Sequence, residues 1–135
     1  MSEIKQDAIL SQRLLDAQVG VLGSMLIDPD TVPGVLARVR DEDFSNKDYR
    51  LVFQAIQARF RAGQAIDAIL VRETLGGGVD SPWTALLRDL MDVTATAAHV
   101  DDYVDALRSS VTLARLRALG AQLAEADRLE DAQGL

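Results

Sequence analysis

The sequence predicts an all-α protein, and three observations carry that expectation. Alanine and leucine each occur nineteen times among the 135 residues, while few β-branched or aromatic residues fall outside helical spacing. Apolar positions recur every three to four residues in segment after segment. Start and stop signals flank those segments, with Ser or Asp before an apolar run and Gly or Pro after it.

The first helix is expected from about Ser11 to Ile27, where Leu15, Val19, Leu22 and Leu26 share a face before Asp28-Pro29 ends the pattern. Gly20 and Gly23 each weaken an isolated helix by about 1 kcal/mol relative to Ala, so they point to close approach by a neighbouring helix. A short helix from about Thr31 to Val39 accepts Pro33 in its first turn and turns Val32, Val35, Leu36 and Val39 inward. Asp41-Glu42-Asp43 then breaks the pattern. Ser45 is the expected N-cap of a third helix, with Asp48 in the capping-box position and Gly63 as its stop. Its stripe of Tyr49, Val52, Phe53, Ile56 and Phe60 reads as a core face rather than a ligand box.

Asp67 is the expected N-cap of a short helix ending near Leu75, and Gly76-Gly77-Gly78 closes it. The three glycines do not make a phosphate loop, because no strand precedes them and no Gly-Lys-Ser/Thr follows. Ser81-Pro82 opens the next helix through Trp83, Leu86, Leu87 and Leu90. From about Thr96 to Arg128 a proline-free pattern then carries Val100, Tyr103, Val104, Leu107 and Val111, followed by Leu113, Leu116, Leu119 and Leu123. A helix of that length spans roughly 45 to 50 Å, whereas a domain of this size is about 30 to 35 Å across, so part of it must project. Its apolar positions shift round the helix between Val111 and Leu113, so the distal half needs a partner of its own.

The domain organisation expected from these segments is a tail over residues 1–10, a helical head over 11–98, a long helix over 99–130 and a short tail over 131–135. The core of the head is expected to include Leu22, Phe44, Val52, Phe53, Ile56, Leu87, Leu90 and Tyr103, and the candidate self-association residues are Leu113, Leu116, Leu119 and Leu123.

Charge narrows the function. Fourteen basic against 21 acidic residues give a formal charge of -7, which opposes the counterion release that drives DNA binding, so no direct nucleic-acid contact is expected. There is no cysteine for a disulfide or thiolate metal site, no basic-apolar leader, and no apolar run near the roughly 18 to 20 residues of a membrane span. A cytoplasmic protein without membrane contact or cofactor is therefore expected. His99 is the single histidine and has no evident nucleophile beside it. Acidic clusters at Asp28 and Asp30, at Asp41 to Asp43, and at Asp101, Asp102 and Asp105 suit helix caps better than a hard-cation site. No catalytic or metal residues are assigned; a small metal-dependent hydrolase built on those clusters is the minor alternative. Arg108, Arg115 and Arg117 form a basic patch without the aromatic residues that stack bases, which suits a protein contact.

Three blocks in order resemble the N-terminal domain of DnaB-type replicative DNA helicases. The first is Asp16-Ala17-Gln18-Val19-Gly20-Val21-Leu22-Gly23 through Leu26-Ile27-Asp28, in which Asp16, Gln18 and Val19 replace the family's Glu, Glu and Gln. The second contains Asp43-Phe44, Tyr49-Arg50, Val52-Phe53, Ala55-Ile56, Gly63 and Ile66-Asp67, with Ala65 where proline is usual. The third runs from Leu86-Leu87-Arg88-Asp89-Leu90 through Thr94 to His99 and Tyr103-Val104, with Ala95 for proline and His99 for asparagine. The resemblance implies a helical head followed by the first helix of a hairpin. It further implies homo-oligomers, a dimer for the isolated domain and a hexameric collar in the full helicase, that recruit primase or a helicase loader. ATP hydrolysis and DNA translocation would belong to a separate RecA-like domain, and no Walker A sequence occurs in these residues. Two alternatives stay open: an excised domain, and a stand-alone phage or mobile-element adaptor that binds a replicative helicase.

Overall fold

The computed structural model describes residues 2–133. In chain order the helices are α1 (Ser2–Ile27), α2 (Val32–Leu36), α3 (Lys47–Arg61), α4 (Ala68–Thr74), α5 (Pro82–Thr94) and α6 (Val100–Gln133). Two 3-10 turns, Pro29–Thr31 and Asp41–Asp43, flank α2, and there is no strand among the described residues.

The head is built around α1, which α2, α3, α5 and α6 all touch. From Ala17 to Leu26 every residue except the half-buried Val19 is buried. A helix enclosed on all sides must be apolar around most of its circumference. The expected face of Leu15, Val19, Leu22 and Leu26 is therefore only part of the buried surface, and Ala17, Val21 and Met25 complete it. The two polar exceptions are satisfied locally. Ser24 Oγ donates to the Gly20 carbonyl at 2.7 Å, and Gln18 joins α1 to the start of α3. Its Nε2 donates to Ser45 Oγ at 2.9 Å while its Oε1 accepts the Asn46 N–H at 3.3 Å.

Both α1 glycines sit where neighbours come close. A Cβ at Gly20 would lie 2.6 Å from Tyr103 Cδ1 on α6, and one at Gly23 would lie 2.6 Å from Thr94 Cβ on α5. Thr94 Oγ1 also donates to the Val19 carbonyl at 3.1 Å, so α5 is bonded to the backbone of α1 at the point of closest approach.

Several boundaries differ from the sequence expectation. α1 begins at Ser2 rather than Ser11, so residues expected to be a tail are helical. The extension sets Leu10 and Leu14 against Ser110, Leu113 and Ala114 of α6 around a shallow cleft of about 180 Å³. The N-cap of α3 is Asn46, whose side chain accepts the Tyr49 N–H at 3.0 Å; Ser45 is not the cap because its hydroxyl is engaged by Gln18. Asp67 caps α4 through the Leu70 N–H at 2.8 Å. Ser81 precedes Pro82 as expected but makes no capping bond, and its buried Oγ faces Gly77 instead. Phe60 is 41% exposed, because the stripe of α3 outruns the core. α6 starts at Val100, after Ala95 takes a φ of 65° that breaks the helix at the end of α5.

At 34 residues α6 is about 51 Å long. Val104 and Leu107 are buried and Val111 is half-buried, but residues 112–130 are all exposed. Half of the helix thus leaves the head. Because the glycines of α1 are set by contact while Gly34 on α2 has open space, the two classes must respond oppositely to alanine. Gly23→Ala is expected to destabilise the head by about 1 to 3 kcal/mol through overpacking, and Gly34→Ala to be neutral or stabilising by up to about 1 kcal/mol, as read by urea denaturation.

Candidate functional site

Leu22, Phe44, Val52, Phe53, Ile56, Leu87 and Leu90 lie in the core, where the Phe44 and Phe53 rings pack with centroids 4.8 Å apart. Tyr103 is half-buried with its ring over Gly20. The four distal leucines have a different environment. Leu113 is 39% exposed beside the N-terminal part of α1, whereas Leu116, Leu119 and Leu123 are 60%, 51% and 58% exposed. Their spacing of three, three and four residues keeps them on one side of the projecting helix.

A second feature was not visible in the sequence. The loop from Leu36 to Asp43 and the α6 segment from Val104 to Arg115 enclose a groove of about 660 Å³. Leu36, Val39 and Val104 give it an apolar floor, and Arg38, Arg40, Arg108 and Arg115 line it with Glu42, Asp43 and Asp105. The arginines and carboxylates that the sequence shows as separate clusters meet here in two sets of ion pairs, one around Arg38 and one around Asp43. Arg38 Nη2 meets Asp101 Oδ1 at 2.6 Å and its Nη1 lies 3.8 Å from Asp105. Arg115 lies 3.6 Å from both Glu42 and Asp43, and Arg108 lies 3.7 Å from Asp43.

Asp43 is the centre of the second set. Its side chain is 1% exposed, and its Oδ2 accepts the Arg40 N–H at 2.9 Å, closing the 3-10 turn. Its Oδ1 is buried without a hydrogen-bond partner, and the guanidiniums of Arg115 and Arg108 lie 3.6 and 3.7 Å from the carboxylate. Arg117, the third arginine of the sequence patch, lines the other cleft, beside α1.

Two other carboxylates of the acidic clusters, Asp28 and Asp41, hold local structure. Asp28 caps the first 3-10 turn by accepting the Asp30 N–H at 3.1 Å. Asp41 accepts from Gln54 Nε2 at 2.9 Å, and this bond, aided by the Glu42 N–H and the charge of Arg50, holds its pKa below the ordinary carboxylate value. His99 lies outside the helices, 3.9 Å from Asp102. Among the described residues no three or more His, Asp or Glu side chains are arranged to hold a metal ion. No single helix among them is long and apolar enough to cross a membrane.

Residues 11–109 match the family described as DnaB-like helicase N terminal domain. The replicative DNA helicase DnaB of Mycobacterium leprae is 29% identical over 119 residues, covering 82% of this chain and 19% of that protein. The corresponding helicase of Haemophilus influenzae is 27% identical over 113 residues, with 82% of this chain and 24% of the relative covered. The crystal structure of the N-terminal domain of DnaB helicase from Mycobacterium tuberculosis has a TM-score of 0.74 and 29% identity, covering 82% of this chain and 79% of that one. The chain thus spans about a fifth to a quarter of the length of the curated relatives, yet most of the isolated domain.

The Asp41–Gln54 bond makes a pH prediction. Because the folded pKa is lowered, the contribution is complete above the ordinary value of 3.8 and is lost as pH falls through the folded value. Gln54→Leu is expected to move the Asp41 pKa, followed by NMR titration, back up toward 3.8 and to remove that part of the acid dependence of stability.

Proposed function

Since the chain belongs to the family of DnaB-like helicase N-terminal domains, we propose that it is a non-catalytic assembly and docking module of a replicative DNA helicase. In this reading the projecting half of α6 joins subunits, as a dimer in the isolated domain and within a hexameric collar in a full helicase. The head is then free to receive primase or a loader.

The observation that carries the reading is the row Leu116, Leu119 and Leu123, each more than half exposed on a helix that has left its own core. Fully burying a leucine yields about 1.5 to 3 kcal/mol, so three of them on each of two helices are a sizeable drive for association. Single exposed leucines need no explanation, but a continuous stripe on one helix face is characteristic of an interface. The charge supports the same division of labour. At -7 the chain is poorly suited to grip DNA, and its residues contain no phosphate loop for ATP. The motor chemistry of a helicase would reside in other sequence, leaving this part to hold proteins together.

Leu116→Asp combined with Leu123→Asp tests the assignment. Light scattering is expected to show the wild-type chain as an oligomer and the variant at least about 100-fold weaker in association, with helicity by circular dichroism unchanged. An unchanged oligomer size with intact helicity would refute it.

A further inference from the structure

A separate groove, of about 430 Å³, lies between α4, the loop that follows it and α5, and none of its lining residues belongs to α6. On α5, Thr84, Leu87, Arg88, Met91 and Asp92 recur at three- and four-residue spacing, so they share one face of the helix. Ile69 and Arg72 supply the α4 wall and Val79 the loop wall. Leu87 is buried in the floor, whereas Ile69 and Val79 stand 58% and 68% exposed. Two bulky β-branched side chains on the walls of one groove form a patch, unlike apolar residues scattered singly over a surface. The polar groups are held in place and under-used. Thr84 Oγ1 donates to the Val79 carbonyl at 2.9 Å and accepts from Arg72 Nη1 at 3.2 Å, so one hydroxyl ties α4, the loop and α5 together. That bond is the only one made by the Arg72 donors among the described residues, and its Nε is buried without a partner. Neither Arg72 nor Arg88 has a carboxylate within ion-pair distance among those residues, in contrast to Arg38, Arg108 and Arg115.

We propose that the α4–α5 groove docks a short amphipathic helix of a partner protein, whose bulky apolar residues enter between Ile69 and Val79 and whose Asp or Glu side chains pair with Arg72 and Arg88. This rests on the docking half of the function proposed above, adding a surface and the chemistry of the partner, and it is independent of self-association. Two unpaired arginines beside an apolar floor call for carboxylates flanking an apolar row, since charge-assisted and bidentate bonds to guanidinium are the strongest available there. The head has no strand among the described residues, so an added strand has no edge to pair with and a helix laid in the groove is the remaining mode. Met91 on the α5 face lets the groove adjust to the side chains it receives. Rims that carry apolar side chains outward suit such a row better than an enclosed small molecule. A second copy of the chain docked there about a two-fold axis would bring its own Arg72 and Arg88 to the same place, like charge against like.

Selection of a phage-displayed library of random helical peptides on the wild-type chain tests the assignment. Enriched peptides are expected to combine a row of bulky apolar residues with Asp or Glu, to shift the amide resonances of α4 and α5, and to bind more weakly as salt is raised. Arg88→Gln is expected to weaken their binding at least about fivefold, and Ile69→Asp with Val79→Asp at least about tenfold. Replacing the carboxylates of an enriched peptide by amides is expected to cost the wild type more affinity than it costs Arg88→Gln, as a direct pairing requires. Ile69, Val79 and Arg88 are exposed, so both groove variants keep the fold, with helicity by circular dichroism as the check.

Enriched peptides that are neutral or basic, that bind the Ile69→Asp, Val79→Asp variant as tightly as wild type, or that shift only α6 overturn the proposal. Concentration-dependent shifts of α4 and α5 in the wild-type chain alone would give the groove to a second copy and overturn it as well. Primase or a loader that binds the wild type and both groove variants alike leaves the docking reading standing without this groove. A wild type that holds neither protein and enriches no peptide removes both readings together.

Discussion

The architecture depends on the enclosure of α1. Four other helices pack against one helix, and between Ala17 and Leu26 hardly any surface of it remains for water. Enclosure on that scale brings backbones together, and at two positions only glycine leaves enough room. At Gly20 the Tyr103 ring rests on the backbone, and at Gly23 the side chain of Thr94 does. Each glycine lowers helix propensity, a loss that the packing of α5 and α6 offsets. The buried Gln18 shows the same constraint in polar form. An amide at the centre of a head must find partners, and it finds them at Ser45 and Asn46, just ahead of α3.

With α1 in place, the path of α6 is determined at two levels. Apolar contact ends near Leu107 and Val111, and past that point the helix has left its own core. On the opposite side from α1, the 3-10 turn at Asp41–Asp43 presents a buried carboxylate to two α6 arginines. A buried charge is a weak source of net stability, because desolvation consumes most of the Coulomb gain, but it is strongly directional. Its effect here is to orient: the turn, the groove and the direction in which α6 leaves the head are linked through one side chain.

That geometry agrees with the assembly and docking role proposed above. Of the clustered carboxylates, Asp28 caps a 3-10 turn, Asp41 accepts from Gln54, and Glu42, Asp43, Asp101 and Asp105 face arginines. What the surface offers instead is an apolar stripe on a projecting helix and a groove of mixed charge beside its root. Membership of the helicase N-terminal family gives these features their context.

Much of the head was legible in the sequence because its determinants are local. Helical periodicity, the Asp67 cap, Pro82 at a helix start and the stop at Gly63, which takes a positive φ, are decided within a few residues of chain. Close packing at Gly20 and Gly23 was legible too, since glycine in a buried helix has few other uses. The exposure of the distal leucines followed from length alone, as a helix longer than its head must leave it. Other features needed the tertiary structure. Asn46 rather than Ser45 caps α3 only because Gln18, 27 residues from Ser45, claims the serine hydroxyl. The helical start at Ser2 is accompanied by α6 running alongside Leu10 and Leu14. The arginine groove joins Arg38 and Arg40 to Arg108 and Arg115 across more than sixty residues. The sequence by itself determined which segments are helical and which face of each is apolar, because propensity and periodicity act over one or two turns. Only the tertiary structure decided which charges meet, because an ion pair depends on distance in space, and that distance exists only once α1 has been enclosed.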